Sequence, residues 1–423
     1  MNLVRLYRSL GNGDAKVSFL ICTFILLLLA VAISRFLYPF DLGNFESVIQ
    51  APAALAIAGK NPYNFALTEP YVMAPYGYFY YLLVGLCNTL WFGRLLSILA
   101  GASIVYSIYK LSSNPLLSIT FFLASSPFLS MWAVQRPDLL ALACGSMGFV
   151  LLRRHILLAS LLCFSALFFK QTFVLMPFFA GVYLLWKRRW RDAALFYAVG
   201  VSMSLLIIAL LGKGYVWQHF VLTRNIPASY AQAGNICLAF LLNPAMVGLL
   251  FLSRSKYAVY AAAACVLAFI TSARIGANVN YYLETVFVLS LMLRRTPNLI
   301  PLTILLVCGS LQLVRNIRGE YLRWQGVEYY REIQRQYLNY SNGVGISVYC
   351  DLIPTYHFGD WIQYVDGRSP ELQKTFIDAL RSGRYKAIIW YNPNDPLLLN
   401  YDLVPINQPL PPRPVYLYVL KKR

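Results

Sequence analysis

A handful of ionisable residues interrupts an otherwise apolar chain, and their types and spacing limit the chemistry on offer. Asp41 comes first, in Tyr38-Pro39-Phe40-Asp41-Leu42-Gly43-Asn44-Phe45-Glu46. A carboxylate held just beyond a membrane span can take the proton of an acceptor hydroxyl; the same residue can equally cap the helical run over 45–58. Lys170 stands at a turn between two apolar runs, in Phe168-Phe169-Lys170-Gln171. An ammonium at headgroup depth suits a phosphate, and a lysine snorkelling to water would have the same setting. Arg136-Pro137-Asp138 fills the preceding turn, where a local ion pair accounts for it without a ligand. Arg274 and the run Asn278-Val279-Asn280-Tyr281-Tyr282-Leu283-Glu284 mark a later turn. Glu284 falls about one turn inside the membrane, where a lone charge costs ~2.5–3.5 kcal/mol. Arg274 is its nearest candidate partner. Acids and bases converging at one membrane face, beneath a tyrosine-rich loop, fit an anionic lipid headgroup and a polar acceptor.

The frame that must position these residues is a membrane domain. Of 423 residues, 59% are hydrophobic and 13% charged, and the mean hydropathy is +0.56. A soluble domain is nearer a quarter charged, so this chain lacks the polar side chains to cover itself in water. The net charge of +19 does not indicate nucleic acid. Basic residues fall in small clusters between apolar runs: Arg5, Arg8 and Lys16; Lys110; Arg153 and Arg154; Lys187, Arg188, Arg189 and Arg191; Arg254 and Lys256; Arg294 and Arg295. That is the pattern of cytoplasmic loops, whereas nucleic-acid binding wants one contiguous patch on a soluble module. Seven of the eight cysteines lie in apolar stretches, so no disulfide framework is expected; Cys350 alone lies in the polar tail. The apolar run over 17–33 is followed by Arg35, Phe36 and Tyr38 rather than by a cleavage site, and reads as a retained first span.

If each basic cluster is cytoplasmic, an even number of spans separates consecutive clusters. The pairs 116–132 and 139–152, 156–169 and 172–186, 193–211 and 238–252, and 257–271 and 281–293 obey this, and a final run over 299–314 exits to the far side. Between Lys16 and Lys110 there are three runs, 17–33, 74–92 and 95–109, so one must not cross. The middle run crowds Tyr76, Tyr78, Phe79, Tyr80, Tyr81 and Trp91 together, and aromatics of that density favour the interface. The expected fold class is a polytopic α-helical membrane protein of about 11 spans, with 74–92 lying along the outer surface as an amphipathic helix. An ordinary span there, with a re-entrant segment elsewhere, is the alternative. Residues 1–314 form the expected transmembrane domain, with an outer loop over 39–92. Residues 315–423 form a small α/β extracytoplasmic domain: charged helix over 320–340, strands over 345–350, 386–391 and 415–420, and a helix over 371–382.

The layout resembles the GT-C glycosyltransferases, membrane enzymes that use polyprenyl-phosphate sugars and include protein O-mannosyltransferases and the lipid A aminoarabinose transferase. Asp41 matches their first-loop aspartate. Asp41-Leu42 through Gly59-Lys60-Asn61-Pro62-Tyr63 to Tyr71 and Pro75 resembles the mannosyltransferase branch, and Trp91-Phe92-Gly93-Arg94-Leu95-Leu96-Ser97 resembles the break before the family's second span. Lys170 matches a phosphate-contacting lysine, and Asn280-Tyr281-Tyr282-Leu283-Glu284 an asparagine–tyrosine–glutamate stretch. The likeness covers roughly residues 17–293. It implies interfacial helices in the first outer loop, a seven-span shared core and an inverting transfer in which Asp41 serves as catalytic base. Lys170 and Arg274 would then bind the donor phosphate. Glu46, Tyr63, Arg136, Asp138, Arg224, Asn225, Asn280, Tyr281 and Glu284 would contact substrate, with loop 213–239 closing over them. In the aminoarabinose transferase a glutamate and a histidine bind a metal; the corresponding positions here are Met73 and Asn225, with His219 displaced and His155 beside cytoplasmic arginines. No metal site and no cofactor are therefore expected.

The function so implied is transfer of a sugar from a polyprenyl-phosphate donor to a glycan, lipid or protein acceptor, in a bacterial cell membrane and amid membrane lipids. The N-terminus would be cytoplasmic. A transporter of a lipid-linked or anionic substrate also explains intramembrane charges, but transporters place them near the midplane within inverted repeats, and here they gather at the outer face. An envelope scaffold, in which Asp41 only caps a helix, is a third reading.

Overall fold

The computed structural model describes residues 15–40, 42, 46–64, 74–222, 228–253, 255–274, 277–294, 299–341, 345–347, 374, 378, 386–390, 400–405 and 416–421. Asp41, Met73, Arg224 and Asn225 lie outside the described residues, as does the expected helix over 371–382 except for Lys374 and Asp378.

Four helices are long and apolar enough to cross a bilayer: α1 (Ala15–Leu37), α4 (Leu90–Leu111), α10 (Trp190–Val216, continuing to His219) and α14 (Ile300–Gln325). A fifth candidate is a pair, α11 (Tyr230–Leu241) and a 3-10 helix over Pro244–Phe251, bent by 76°. The bend follows from Asn243, whose side chain accepts from the Ala245 amide, and from Pro244, which cannot continue the helical ladder. Shorter apolar helices are α5 (Pro115–Ala124), α7 (Pro137–Leu151), α8 (Ile156–Phe169), α12 (Ala258–Ser272) and α13 (Leu283–Leu291); α9 (Leu175–Trp186) extends a 3-10 turn over Gln171–Phe173. Every residue of α13 is buried. On the outer helices, Phe19, Leu26, Leu205, Leu210, Val259 and Leu311 all face outward. Large apolar side chains on the outside and a sparse charged inventory are the arrangement of a chain solvated by lipid.

Three expected runs break where their sequences supply a reason. The run over 74–92 is not one helix. It holds α3 (Tyr78–Gly85), which ends where Asn88 takes a positive φ of 45° and Thr89 is extended, so Trp91 and Phe92 open α4 instead. At eight residues, α3 spans only about 12 Å, too short to cross. It packs on α2 (Ser47–Ile57), and a Cβ on Gly85 would sit 2.4 Å from Ile57 Cγ1. The run over 116–132 divides into α5 and α6 (Ser126–Met131), because Ser125 caps α6 and Pro127 opens it. The charged helix expected over 320–340 divides at Gly326, between α14 and α15 (Val327–Ser341).

Beyond α15, four short strands form one sheet in the order β1-β2-β4-β3. β1 (Gly345–Ser347) runs parallel to β2 (Ala387–Trp390), and β4 (Tyr416–Leu420) runs antiparallel to both β2 and β3 (Tyr401–Leu403). Ala387 and Leu417 of the sheet share one buried cluster with Val327, Tyr329, Tyr330, Ile333 and Tyr337 of α15 and with Tyr38, Phe40, Leu42 and Val134. Phe40 meets Tyr330 edge-on at 5.8 Å, and Tyr38 meets Trp324 at 5.6 Å. The C-terminal sheet and its helix thus brace the first loop on both sides of position 41.

Candidate active site

The first loop is anchored from below by Arg94. Its guanidinium is almost completely buried, and each of its N–H groups has a partner. Nε and Nη2 fork onto Glu46 at 3.0 and 2.6 Å, Nη1 donates to the Arg35 carbonyl at 2.8 Å and to that of Tyr38, and Nη2 donates to Phe40 at 2.6 Å. Glu46 in turn accepts from the Leu42 amide at 2.9 Å and the Gln135 amide at 2.6 Å. Glu46, expected to contact substrate, therefore spends both carboxylate oxygens on the loop and on the turn that carries Arg136. The turn's other tether is Arg35, which donates at 2.7 Å to the carbonyls of Leu129 and Trp132 and at 2.8 Å to Glu320 of α14.

Five expected site residues converge on that turn. Pro137 opens α7, which places the Asp138 carboxylate in its first turn, where the helix dipole favours an anion. Lys170 ends α8 in an extended conformation, and its ammonium hydrogen-bonds Asp138 Oδ1. Asn280, on the 3-10 turn over Val279–Tyr282, donates to the same oxygen at 2.7 Å. Arg136 holds its Nε 3.9 Å from Asp138 Oδ2, and the Tyr281 ring lies 4.9 Å from the Lys170 ammonium. Asp138 Oδ2 and Asn280 Oδ1 are buried and accept no hydrogen bond. Three formal charges, two positive and one negative, are gathered where three helix ends meet.

A tyrosine lattice extends the cluster toward the first loop. Arg136 Nη2 donates to the Tyr76 hydroxyl at 3.0 Å, and the Tyr76 carbonyl accepts from the Tyr63 hydroxyl at 2.7 Å. Burial pushes the Tyr63 phenol well above its ordinary pKa, with Tyr81, Tyr215 and Tyr78 adding to the effect, so it stays a neutral donor. Gln218 bridges the Tyr63 carbonyl at 2.8 Å and the Ala74 amide at 2.9 Å, and the His219 ring stacks on Tyr215 at 4.3 Å. Asn61 donates to the Leu211 carbonyl at 2.8 Å, just before α10 kinks at Gly212, whose φ of +63° suits glycine. At the other end, Gly77 donates to the Phe169 carbonyl at 3.2 Å. A Cβ at Gly77 would overlap the Phe168 carbonyl oxygen at 1.3 Å, so only glycine lets α3 close onto the end of α8 beside Lys170.

Two expected residues stand apart. Glu284 is partnered by the Tyr260 hydroxyl at 2.5 Å rather than by Arg274, because the first turn of α13 faces α12, where Phe149 and Phe179 sandwich the Tyr260 ring. Arg274 lies at a bridge to Ala228, its carbonyl taking the Gln232 side chain at 3.0 Å. The sequence reading also missed Tyr76, Gln135 and Tyr260. For Arg94 a signal existed: a lone guanidinium in an apolar run demands a carboxylate, and Glu46 is one of three in the first loop, with Asp41 and Glu69.

No known family profile matches this sequence, and no curated protein matches it. Solved structures do. ArnT from Cupriavidus metallidurans bound to undecaprenyl phosphate superposes with a TM-score of 0.61, covering 95% of this chain and 98% of that one at 11% identity. The apo state of the same protein gives 0.60, with 96% and 98% covered at 12% identity. The chain has the ArnT fold. The helical frame expected from the motif order is thus similar to that of ArnT, and the likeness covers 95% of the chain. With its lipid-facing helices, the chain is an integral membrane protein of this fold. Of the positions that would mirror the metal ligands of the aminoarabinose transferase, Met73 and Asn225 lie outside the described residues and His219 is packed among tyrosines. Among the described residues no three His, Cys, Asp or Glu side chains converge.

Proposed function

We propose that this chain is a membrane glycosyltransferase that moves a sugar from a polyprenyl-phosphate donor to an acceptor hydroxyl on the extracytoplasmic side. The observation that carries this is the buried Lys170–Asp138–Arg136 cluster, placed at helix ends within an ArnT fold. Lys170 and Arg136 supply two cations for the donor phosphate, and Arg274 stands beyond Tyr281 as a further contact. Fixed cations at a leaving phosphate stabilise charge as it develops, with no reorganisation at the moment of reaction. Asp41 takes the acceptor proton during an in-line, inverting attack on the anomeric carbon. Its neighbours Phe40 and Leu42 are hydrogen-bonded into the Arg94–Glu46 pair, which supports a fixed position for the loop that carries it. Tyr63, Asn280 and Tyr281 offer polar and aromatic contacts to the sugar, and the loop with Arg224 and Asn225 closes over them. The topology that goes with this reading has about 11 spans, a cytoplasmic N-terminus and an extracytoplasmic domain over 315–423 that takes part in acceptor binding.

The test follows label from polyprenyl-phosphate mannose, glucose and arabinose in proteoliposomes, with native membrane extract as acceptor. Wild type should transfer one of these sugars, and Asp41→Asn and Lys170→Met should fold but fail to transfer. Transfer that persists in Asp41→Asn would remove the base from this scheme. Movement of a labelled lipid across the bilayer without any transfer would replace the enzyme reading with a transporter.

A further inference from the structure

We infer that Arg35 and Glu320 are positioning residues: together they hold Ala133 in a strained left-handed turn, and that turn presents Arg136 and Asp138 to the donor. The role given to the turn rests on the donor reading above; the strain itself does not.

The turn runs from the end of α6 to the start of α7. Within it Ala133 takes a φ of +54°, and its side chain is fully buried. Among the described residues two other non-glycine residues have a positive φ, Asn88 and Arg188. Asn88 is of a type that tolerates the left-handed region, and Arg188 lies on an exposed turn. Alanine has no polar group with which to bond its own backbone, and in that region its Cβ crowds the following carbonyl oxygen. Such a conformation persists only where its surroundings impose it.

The chain is gripped on both sides of Ala133. Upstream, Arg35 Nη1 donates at 2.7 Å to the carbonyls of Leu129 and Trp132. The second carbonyl belongs to the peptide that joins Trp132 to Ala133, so rotating that peptide about the Ala133 N–Cα bond would break the contact. The Trp132 ring is wedged against Gly101, where a Cβ would fall 2.3 Å from it, and Ser97 donates to the Met131 carbonyl at 3.0 Å. Downstream, the Gln135 amide donates to Glu46 at 2.6 Å. Ala133 is thus strained between two buried ion pairs, Arg35–Glu320 and Arg94–Glu46. Glu320 fixes the Arg35 guanidinium by accepting from its Nε at 2.8 Å, and it does so from α14, the helix that leads into α15 and the C-terminal sheet. If this upstream grip slackens, φ of Ala133 relaxes to a negative value. The chain beyond it is then redirected, and with it Arg136 and the first turn of α7.

The experiment has two arms, both on the full-length protein in nanodiscs. The first is thermal unfolding of Ala133→Gly beside Ala141→Gly, a control at an equally buried alanine within α7. Glycine weakens a buried helical position through lost packing and added backbone freedom, so the control should melt below wild type. At position 133 relief of strain offsets that loss, and Ala133→Gly should melt at or above wild type. Equal losses in the two variants would overturn the inference, whether or not the donor reading holds.

The second arm measures binding of undecaprenyl phosphate. Glu320→Gln should weaken it about tenfold, because the lipid is held only by molecules with the turn in place. Adding Ala133→Gly should recover about fivefold or more, since glycine enters the left-handed region without the cost a Cβ brings. Where Glu320→Gln does not fold, Glu320→Asp takes its place, keeping the charge and shortening the reach. A folded Glu320 variant that binds like wild type would overturn the role given to the pair. So would a double variant as weak as the Glu320 variant alone, which a purely structural ion pair would produce. Wild type that binds no undecaprenyl phosphate, with the melting arm as expected, would overturn the donor reading and the turn's role in it, and leave the strain standing.

Discussion

Glu46 and Arg94 meet in a two-pronged ion pair, Nε to Oε1 at 3.0 Å and Nη2 to Oε2 at 2.6 Å, with both side chains all but inaccessible to solvent. The pair joins the start of α4 to the first loop, and through the Gln135 amide it joins both to the turn that carries Arg136 and Asp138. The two halves of the proposed site, the loop on either side of position 41 and the cation cluster, are thereby built on one shared anchor.

Arg94→Lys keeps the charge and loses the fork. A lysine has three donors on a single nitrogen and cannot serve Glu46 together with the carbonyls of Arg35, Tyr38 and Phe40. The variant should lose about 3–5 kcal/mol of stability, the scale for a broken buried pair, and show little or no transfer. Thermal unfolding in detergent checks the first part and the transfer assay the second. A melting temperature equal to wild type would mean that the anchor contributes little.

Lys170→Met should leave the acceptor's apparent affinity alone and weaken the donor's, with transfer falling about 10²–10³-fold, as for loss of one preorganised charge contact. Lys170→Arg should recover part of this, because its guanidinium can still reach both Asp138 and a phosphate. Donor titrations on the two variants separate a phosphate contact from a purely structural lysine, for which the two substitutions would do similar damage to both substrates.

Gly77→Ala places a methyl group against backbone, which cannot swing aside as a side chain would. Because its Cβ falls 1.3 Å from the Phe168 oxygen and 2.4 Å from the Phe168 carbonyl carbon, α3 must back away from α8 and from Lys170. We expect a loss of about 1–3 kcal/mol, together with a weakened donor affinity. Unchanged donor binding would disconnect the α3–α8 contact from the site.

Tyr260→Phe and Arg274→Gln test which residue partners Glu284. Removing the Tyr260 hydroxyl leaves the buried carboxyl without its hydrogen bond and should cost about 1–3 kcal/mol. Arg274→Gln should change unfolding by less than about 0.5 kcal/mol, since Arg274 makes no ion pair among the described residues. The opposite ranking in a denaturation series would restore the Glu284–Arg274 pairing.

Much of the architecture was legible in the chain itself, because lipid leaves so few solutions. Apolar length and scarce charge forced helices, and the strand-like sequences around Ile346, Ile388 and Leu417 did form the sheet. The helix start at Pro137 was legible too, because the proline follows a polar turn, whereas the division at Ser125 inside the run over 116–132 was not. The breaks at Asn88 and Asn243 escaped, since an apolar run reads as continuous when only one residue in it departs from the pattern.

What tertiary structure decided was partnership. Sequence put Arg136, Asp138, Lys170 and Asn280 at the same depth, and depth follows from spacing along each helix. It could not say that Lys170 and Asn280 would share one oxygen of Asp138, that Glu46 would turn inward to Arg94, or that Glu284 would choose Tyr260 over Arg274. Those choices depend on which faces of separate helices are pressed together. The rotation of one helix against another is set by packing across the whole bundle, and so is written in no single segment.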